Sequence, residues 1–139
     1  IDVIGTDHAP HPAESKECEW ACAANGMTGL EQALSIIQMT LVEPGHITWA
    51  DVARIMSETP AKIGSLDAEQ GRPLAEGEPA NIVLVDPKAT RVIRPEEQAT
   101  KGKNNPYRGM EVPGAVRATF YAGHPTVLNG ELASPHRQA

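Results

Sequence analysis

An acid and two histidines fall within five residues near the start of the chain, in Thr6-Asp7-His8-Ala9-Pro10-His11. A carboxylate offers a hard oxygen to a divalent metal and can also take a proton from metal-bound water, and Asp7 suits both tasks. The tripeptide Thr6-Asp7-His8 reads equally well as a turn or helix-capping aspartate, because short motifs match by accident. His11 reads as a solvated loop histidine or as a fixed one. Pro10 and Pro12 restrict its backbone on both sides and favour the fixed position. A third group is Asn25-Gly26 with Gly29, which brings adaptable backbone and free N–H groups to the start of a helix. Exposed amides and the helix dipole favour an anion there, although a plain turn has the same composition.

Other chemistry-bearing residues give weaker signals. The remaining histidines, His46, His124 and His136, form no His-x-His pair with each other or with the first two. Cys18 and Cys22 are spaced to share a helical face, but metal sites usually take four ligands and there is no second pair. Lys101-Gly102-Lys103-Asn104-Asn105-Pro106 has the composition of a phosphate cradle without the preceding strand or the Gly-Lys-Ser/Thr of a P-loop.

The elements that must position these residues follow from pattern. Ile1, Val3 and Ile4 predict a buried strand, stopped by Ala9-Pro10. That puts Asp7 and both histidines at a strand's carboxyl end, the catalytic end of parallel α/β folds. Residues 12–24 read as a polar excursion over that end. Leu30, Ala33, Leu34, Ile37 and Leu41 predict a helix from Gly29 to about Val42, ended by Pro44-Gly45, with Met27 and Met39 as core residues. Thr48-Trp49-Ala50-Asp51 resembles a capping box and opens a helix with Val52, Ile55 and Met56 inward. Ser57-Glu58-Thr59-Pro60 is expected to close it, with a second short helix begun by Pro60.

The period changes near Ser65. Ala80 to Val85 predicts a strand closed by Asp86-Pro87, Arg91 to Ile93 a short strand, and 95–114 a long polar return. Ala115 to Ala122 and Thr126 to Leu128 predict two strands around Gly123-His124-Pro125, with Asn129-Gly130 as a further turn. Val116, Ala118 and Phe120 share one face. The tail after Leu132 reads as frayed.

Composition sets bounds. With one Phe, two Trp and two Tyr in 139 residues, against twelve Pro and twelve Gly, the chain is poor in the side chains that usually fill a core. It fits a piece completed by other polypeptide better than an independent fold. A net charge of −6 disfavours nucleic acid or an anionic membrane as partner. It leaves room for a small anionic substrate. No leader or spanning segment is expected, and the cysteines are expected to be reduced thiols of a cytoplasmic protein.

Thr6 to His11 resembles the last-strand signature of the dihydroorotases, metal-dependent enzymes of the amidohydrolase superfamily. The resemblance continues through Asn25-Gly26-Met27-Thr28-Gly29-Leu30-Glu31 and Ser57-Glu58-Thr59-Pro60-Ala61-Lys62, and on to Gly77 through Asp86. It implies an α/β fold: residues 1–65 as the end of a (β/α)8 TIM barrel, from its eighth strand, and residues 66–139 as part of a small β-sandwich domain. Such a barrel needs about 250 residues, so a C-terminal portion is expected, inactive alone and completed by an N-terminal part of the same enzyme.

The implied reaction is the reversible cyclisation of N-carbamoyl-L-aspartate to L-dihydroorotate. The implied cofactor is Zn2+, one ion or two, with most ligands outside this chain. Asp7 would be both ligand and proton carrier, His11 would hold the substrate carboxylate, and Asn25 and Gly26 would contact substrate through main chain. Many relatives have an aromatic residue before that glycine, so Asn25 departs from the commoner pattern. A homo-oligomer and an assembly with aspartate transcarbamoylase are implied partners. The alternatives are a hydantoinase or allantoinase and a non-catalytic dihydroorotase-like subunit.

Overall fold

The computed structural model describes residues 1–133, and the expected frayed tail falls largely on residues 134–139, outside the described ones. A helical run opens with a 3-10 turn at Leu30–Gln32, continues as α1 (Ala33–Ile37) and widens into a π-type turn at Gln38–Val42. Gly45, at φ +79°, takes the left-handed conformation that ends it, and its N–H donates to the Val42 carbonyl.

A second run holds α2 (Trp49–Ala53), a π-type stretch (Arg54–Glu58) and α3 (Thr59–Ile63). The capping box forms as the sequence suggests, with the Asp51 N–H donating to Thr48 Oγ1 at 3.2 Å and the Thr48 N–H donating to Asp51 Oδ2 at 2.9 Å.

Pro60 does not end this helix. A proline inside a helix lacks an N–H and crowds the carbonyl four residues back. The π-type stretch just before it widens the helix, so that the Thr59 N–H reaches back to the Arg54 carbonyl. The next carbonyl, that of Ile55, would look to residue 60 for the same kind of bond and finds proline. It accepts instead from the Ile4 N–H at 3.2 Å, a donor from the start of the chain.

The sheet is an antiparallel meander in the order β1 (Ile82–Val92), β2 (Glu111–Tyr121), β3 (His124–Leu128) and β4 (Glu131–Leu132). Asp86-Pro87 does not close the first strand as expected. The ladder pairs Asp86 with Ala115 and resumes at Thr90 with Pro113, so the proline sits in a bulge where its missing N–H costs no ladder bond. The first hairpin turns at Ala122-Gly123, at φ +48° and +81°, which leaves His124 and Pro125 inside β3. Asn129-Gly130 makes the second turn in the same left-handed sense.

The expected buried strand at the start is absent. Ile1 and Val3 are exposed, and the segment's one β contact is a parallel bridge of His8 with Met27. A barrel strand is ordered by neighbours on both edges, and the described residues provide a neighbour only at this point.

The face of the first helix is also other than the pattern predicts. Its innermost residues are Gln32, Ser35, Ile37 and Gln38, whereas Leu30 is exposed and Ala33, Leu34 and Leu41 are half-buried. Three of the four are polar because their partners are polar. Gln32 Nε2 donates to the Thr28 carbonyl at 2.6 Å and Ser35 Oγ to the Gly114 carbonyl at 3.3 Å, while Gln38 Nε2 donates to the Pro87 carbonyl at 2.7 Å. Gly114 takes φ +82°, a conformation that favours glycine, and lies close against the end of the Gln38 side chain. Met27, expected in the core, is largely exposed.

The apolar core takes Ile37 from this helix and otherwise consists of Val52, Ile55 and Ala61 of the second run and Ile93, Val112 and Ala118 of the sheet region. From Ile93 to Met110 the return segment folds back over the start of the first helix. Gln98 Nε2 donates to Gln32 Oε1 and Asn105 Nδ2 to Gln98 Oε1, both at 3.1 Å. Glu31 accepts from the N–H groups of Thr100 at 2.9 Å and Ala99 at 3.3 Å. Partial burial opposes its charge, but the Thr100 and Ala99 donors and nearby Lys103 outweigh burial and hold the carboxyl below the usual glutamate range.

Two outcomes follow for stability. Ile93 is fully buried, so Ile93→Ala should cost about 2–5 kcal/mol in denaturant unfolding. Because the folded pKa of Glu31 is depressed, its stabilisation is present in full above the ordinary glutamate pKa and is lost as pH falls through the lowered value. Glu31→Gln should therefore flatten the loss of thermal stability on acidification below about pH 4.5; an unchanged acid limb would contradict this contact.

Candidate functional site

Two short segments lie side by side where the sequence places its chemistry. The Ala9 N–H donates to the Met27 carbonyl at 2.9 Å, next to the bridge between His8 and Met27. His8 Nδ1 accepts from the N–H of Gly29 at 3.1 Å and of Leu30 at 3.2 Å. The first helix thus begins on a histidine ring from a remote segment, which satisfies two amides that a helix start leaves unpaired. With two donors on Nδ1, the ring carries its proton on Nε2.

Asp7 precedes this histidine with φ +45°, a left-handed conformation that aspartate tolerates better than most residues. Its carboxylate is exposed and has no hydrogen-bonding or ionic partner among the described residues.

His11 and Gly26 are brought together. Gly26 has φ +105°, and a Cβ added there would lie 2.6 Å from the Ala9 Cβ and 3.6 Å from His11 Nε2. Only glycine lets the two loops approach this closely. Asn25 is exposed and its side chain is uncommitted among the described residues, as are the N–H groups of Asn25 and Gly26. An imidazole beside free backbone amides is a suitable site for a carboxylate.

Several residues that the sequence reading left unassigned hold this arrangement. Lys16 Nζ donates to the Ala24 carbonyl at 2.5 Å and to the Gly26 carbonyl at 3.2 Å, which folds the polar excursion back on the glycine loop. From the return segment, Asn104 Oδ1 accepts from the His11 N–H at 3.1 Å. Its Nδ2 donates to the Ala9 carbonyl at 2.9 Å and to the Gly26 carbonyl at 3.3 Å. Gly102 lies against Pro10, where a Cβ would come within 2.6 Å of the proline's own Cβ. The Lys/Gly/Asn cluster is thus a brace on the site loops.

A cleft of about 160 Å3 opens nearby, lined by Ile4, Gly5, Thr6, Met27, Ala33 and Ile37 among others. It holds none of the four candidate site residues. Its wall from the first helix is Gln32, Ala33, Ile36 and Ile37.

Among the described residues, no three His, Cys, Asp or Glu side chains converge to hold a metal ion. Asp7 fits one ligand position by its free carboxylate, and the other nearby donor, His8 Nδ1, is taken by two amides. The described residues alone do not complete a metal centre. Cys18 and Cys22 are free thiols on the surface. No helix of the described residues is long and apolar enough to cross a membrane.

Comparison with known proteins places this geometry. The chain is 52% identical over 132 residues to a dihydroorotase of Leifsonia xyli subsp. xyli, 50% to one of Streptomyces coelicolor and 46% to one of Mycobacterium tuberculosis. Each alignment covers 95% of this chain and 30–31% of the relative, so the chain spans less than a third of their length. Among solved structures, an L-hydantoinase from Arthrobacter aurescens superposes with a TM-score of 0.87 at 30% identity, and a D-hydantoinase from Thermus sp. with 0.85 at 25%. Both superpositions cover 96% of this chain and 30% of the other. The amidohydrolase family model matches residues 1–126, from the aspartate-histidine segment through the return segment and into β3. A match of that extent, running through every residue of the candidate site, means that the chain belongs to the amidohydrolase family.

Proposed function

We propose that the protein to which this chain belongs is a dihydroorotase, and that the chain supplies its C-terminal portion. Residues 1–65 would complete a (β/α)8 barrel and residues 66–139 would belong to a small β domain. What carries the reading is the identity of 46–52% to dihydroorotases across the whole site region, against 25–30% to hydantoinases of the same fold. The open cleft and the exposed Ile1 and Val3 support completion by further polypeptide, since apolar surface of this kind is normally covered.

In this reading Asp7 takes the proton of the water that attacks the ring carbonyl and delivers it to the departing ring nitrogen. In the direction of ring closure the same oxygen takes the proton of the attacking amide. Zinc, one ion or two, is the proposed cofactor, with Asp7 as its one ligand from this chain. When bound, a metal of this kind supplies a water acidic enough to attack at neutral pH. His11 and the free N–H groups of Asn25 and Gly26 hold the substrate carboxylate. Assembly into a homo-oligomer, or with aspartate transcarbamoylase, belongs to the same proposal.

The hydantoinase likeness favours one rival, hydrolysis of a different cyclic amide. Assay of the full-length protein on dihydroorotate and on hydantoin separates the two, and turnover of hydantoin alone would reject the present reading. Asp7→Asn preserves shape and tolerates the left-handed backbone while removing the base. It should lower kcat by at least about a hundredfold, and near-normal turnover would refute the role. His11→Ala should chiefly raise KM for dihydroorotate; an unchanged KM would count against carboxylate binding.

A further inference from the structure

We propose that Asn104, from the return segment, is a positioning residue for substrate binding: a single carboxamide that sets the distance between the His11 loop and the Gly26 loop. The proposal rests on the dihydroorotase reading for the identity of the substrate. It does not assign Asn104 any contact with substrate.

The geometry is specific. Asn104 uses its carbonyl oxygen on one loop and its amino group on both, meeting the His11 N–H, the Ala9 carbonyl and the Gly26 carbonyl at 3.1, 2.9 and 3.3 Å. All three partners lie 78–95 residues away in sequence. The Asn104 carbonyl adds a fourth tie, accepting from the Thr28 N–H at 3.1 Å. The position is held from behind, since Gly102 abuts Pro10.

Only an uncharged carboxamide meets all three side-chain bonds at once. Aspartate keeps the acceptor for the His11 N–H but sets a carboxylate against two carbonyl oxygens, which is repulsive. Alanine loses all three. Lys16 also donates to the Gly26 carbonyl, so the glycine loop keeps one anchor when Asn104 is lost, whereas the His11 N–H has no other acceptor among the described residues. The His11 side should therefore loosen first.

Ground-state binding of the carboxylate is what such a brace controls, and this separates it from a general contribution to folding. The test uses the full-length protein, with Asn104→Ala, Asn104→Asp and, as a stability-matched comparison, Asn105→Ala, whose bonds stay within the return segment. Kinetics on dihydroorotate are combined with melting temperature and with hydrogen exchange of peptides covering residues 9–12 and 24–28. Asn104→Ala should raise KM at least about tenfold with kcat within about threefold, and Asn104→Asp, which repels the two carbonyls, should raise KM as well. Both should speed exchange in the two peptides, whereas Asn105→Ala should lower the melting temperature without the selective rise in KM.

If KM is unchanged in both Asn104 variants, or if kcat and KM deteriorate equally in Asn104→Ala and Asn105→Ala in step with melting temperature, the proposal is overturned. If the parent protein does not turn over dihydroorotate, the functional reading fails separately. The exchange data then decide the brace: unchanged protection at residues 9–12 and 24–28 rejects it, and selective loss there upholds it for whatever anion the site binds.

Discussion

Side-chain amides, more than apolar contact, fix how the first helix and the loops around it fit together. Gln32, Gln38, Gln98 and Asn104 each bond at least one group from a distant part of the chain. Buried amides of this kind tolerate little displacement, because an unmet donor or acceptor away from water costs about 1–3 kcal/mol, whereas an apolar contact can slide. Helix, return segment and site loops are therefore held in one register by directional bonds, with the glycines at 26 and 102 placed where a Cβ would prevent the approach.

This arrangement explains why the chemistry-bearing segment keeps a defined shape without a strand on either edge. Its ties are discrete: the Ile4 N–H to a helix carbonyl, His8 to the first amides of the next helix, Ala9 to Met27, and His11 to Asn104. Between them Asp7 is turned outward by its left-handed backbone. Ala33, Ile36 and Ile37 of the helix line an open cleft beside this segment.

Local rules made a good part of this legible. The capping box at Thr48, the Asn129-Gly130 turn and the helix near 30–42 depend on neighbours in sequence, and each was readable. What escaped depends on partners far away. Periodicity pointed to the leucine stripe of the first helix, because nothing in Gln32, Ser35 or Gln38 announces that carbonyls from residues 28, 114 and 87 will meet them. Asn104 sits in a segment that looks like a solvated loop. His8 looked like a companion of Asp7 and turned out to cap a helix that starts more than twenty residues later. Proline rules fail twice in the same direction: they make Pro60 and Pro87 stops, and the chain passes both by widening, into a π-type turn and a bulge.

The widened turn at Pro60 reaches beyond its own helix. A ring that carries no proton on its nitrogen leaves the Ile55 oxygen open, and the amide that fills the opening stands three residues before the acidic side chain. The placement of that acid is thereby written partly into an imino acid more than fifty positions downstream. A change at Pro60 that restored an ordinary helix would set an internal rival against Ile4, so a residue that touches nothing in the pocket would still have a say in where the pocket's edge lies.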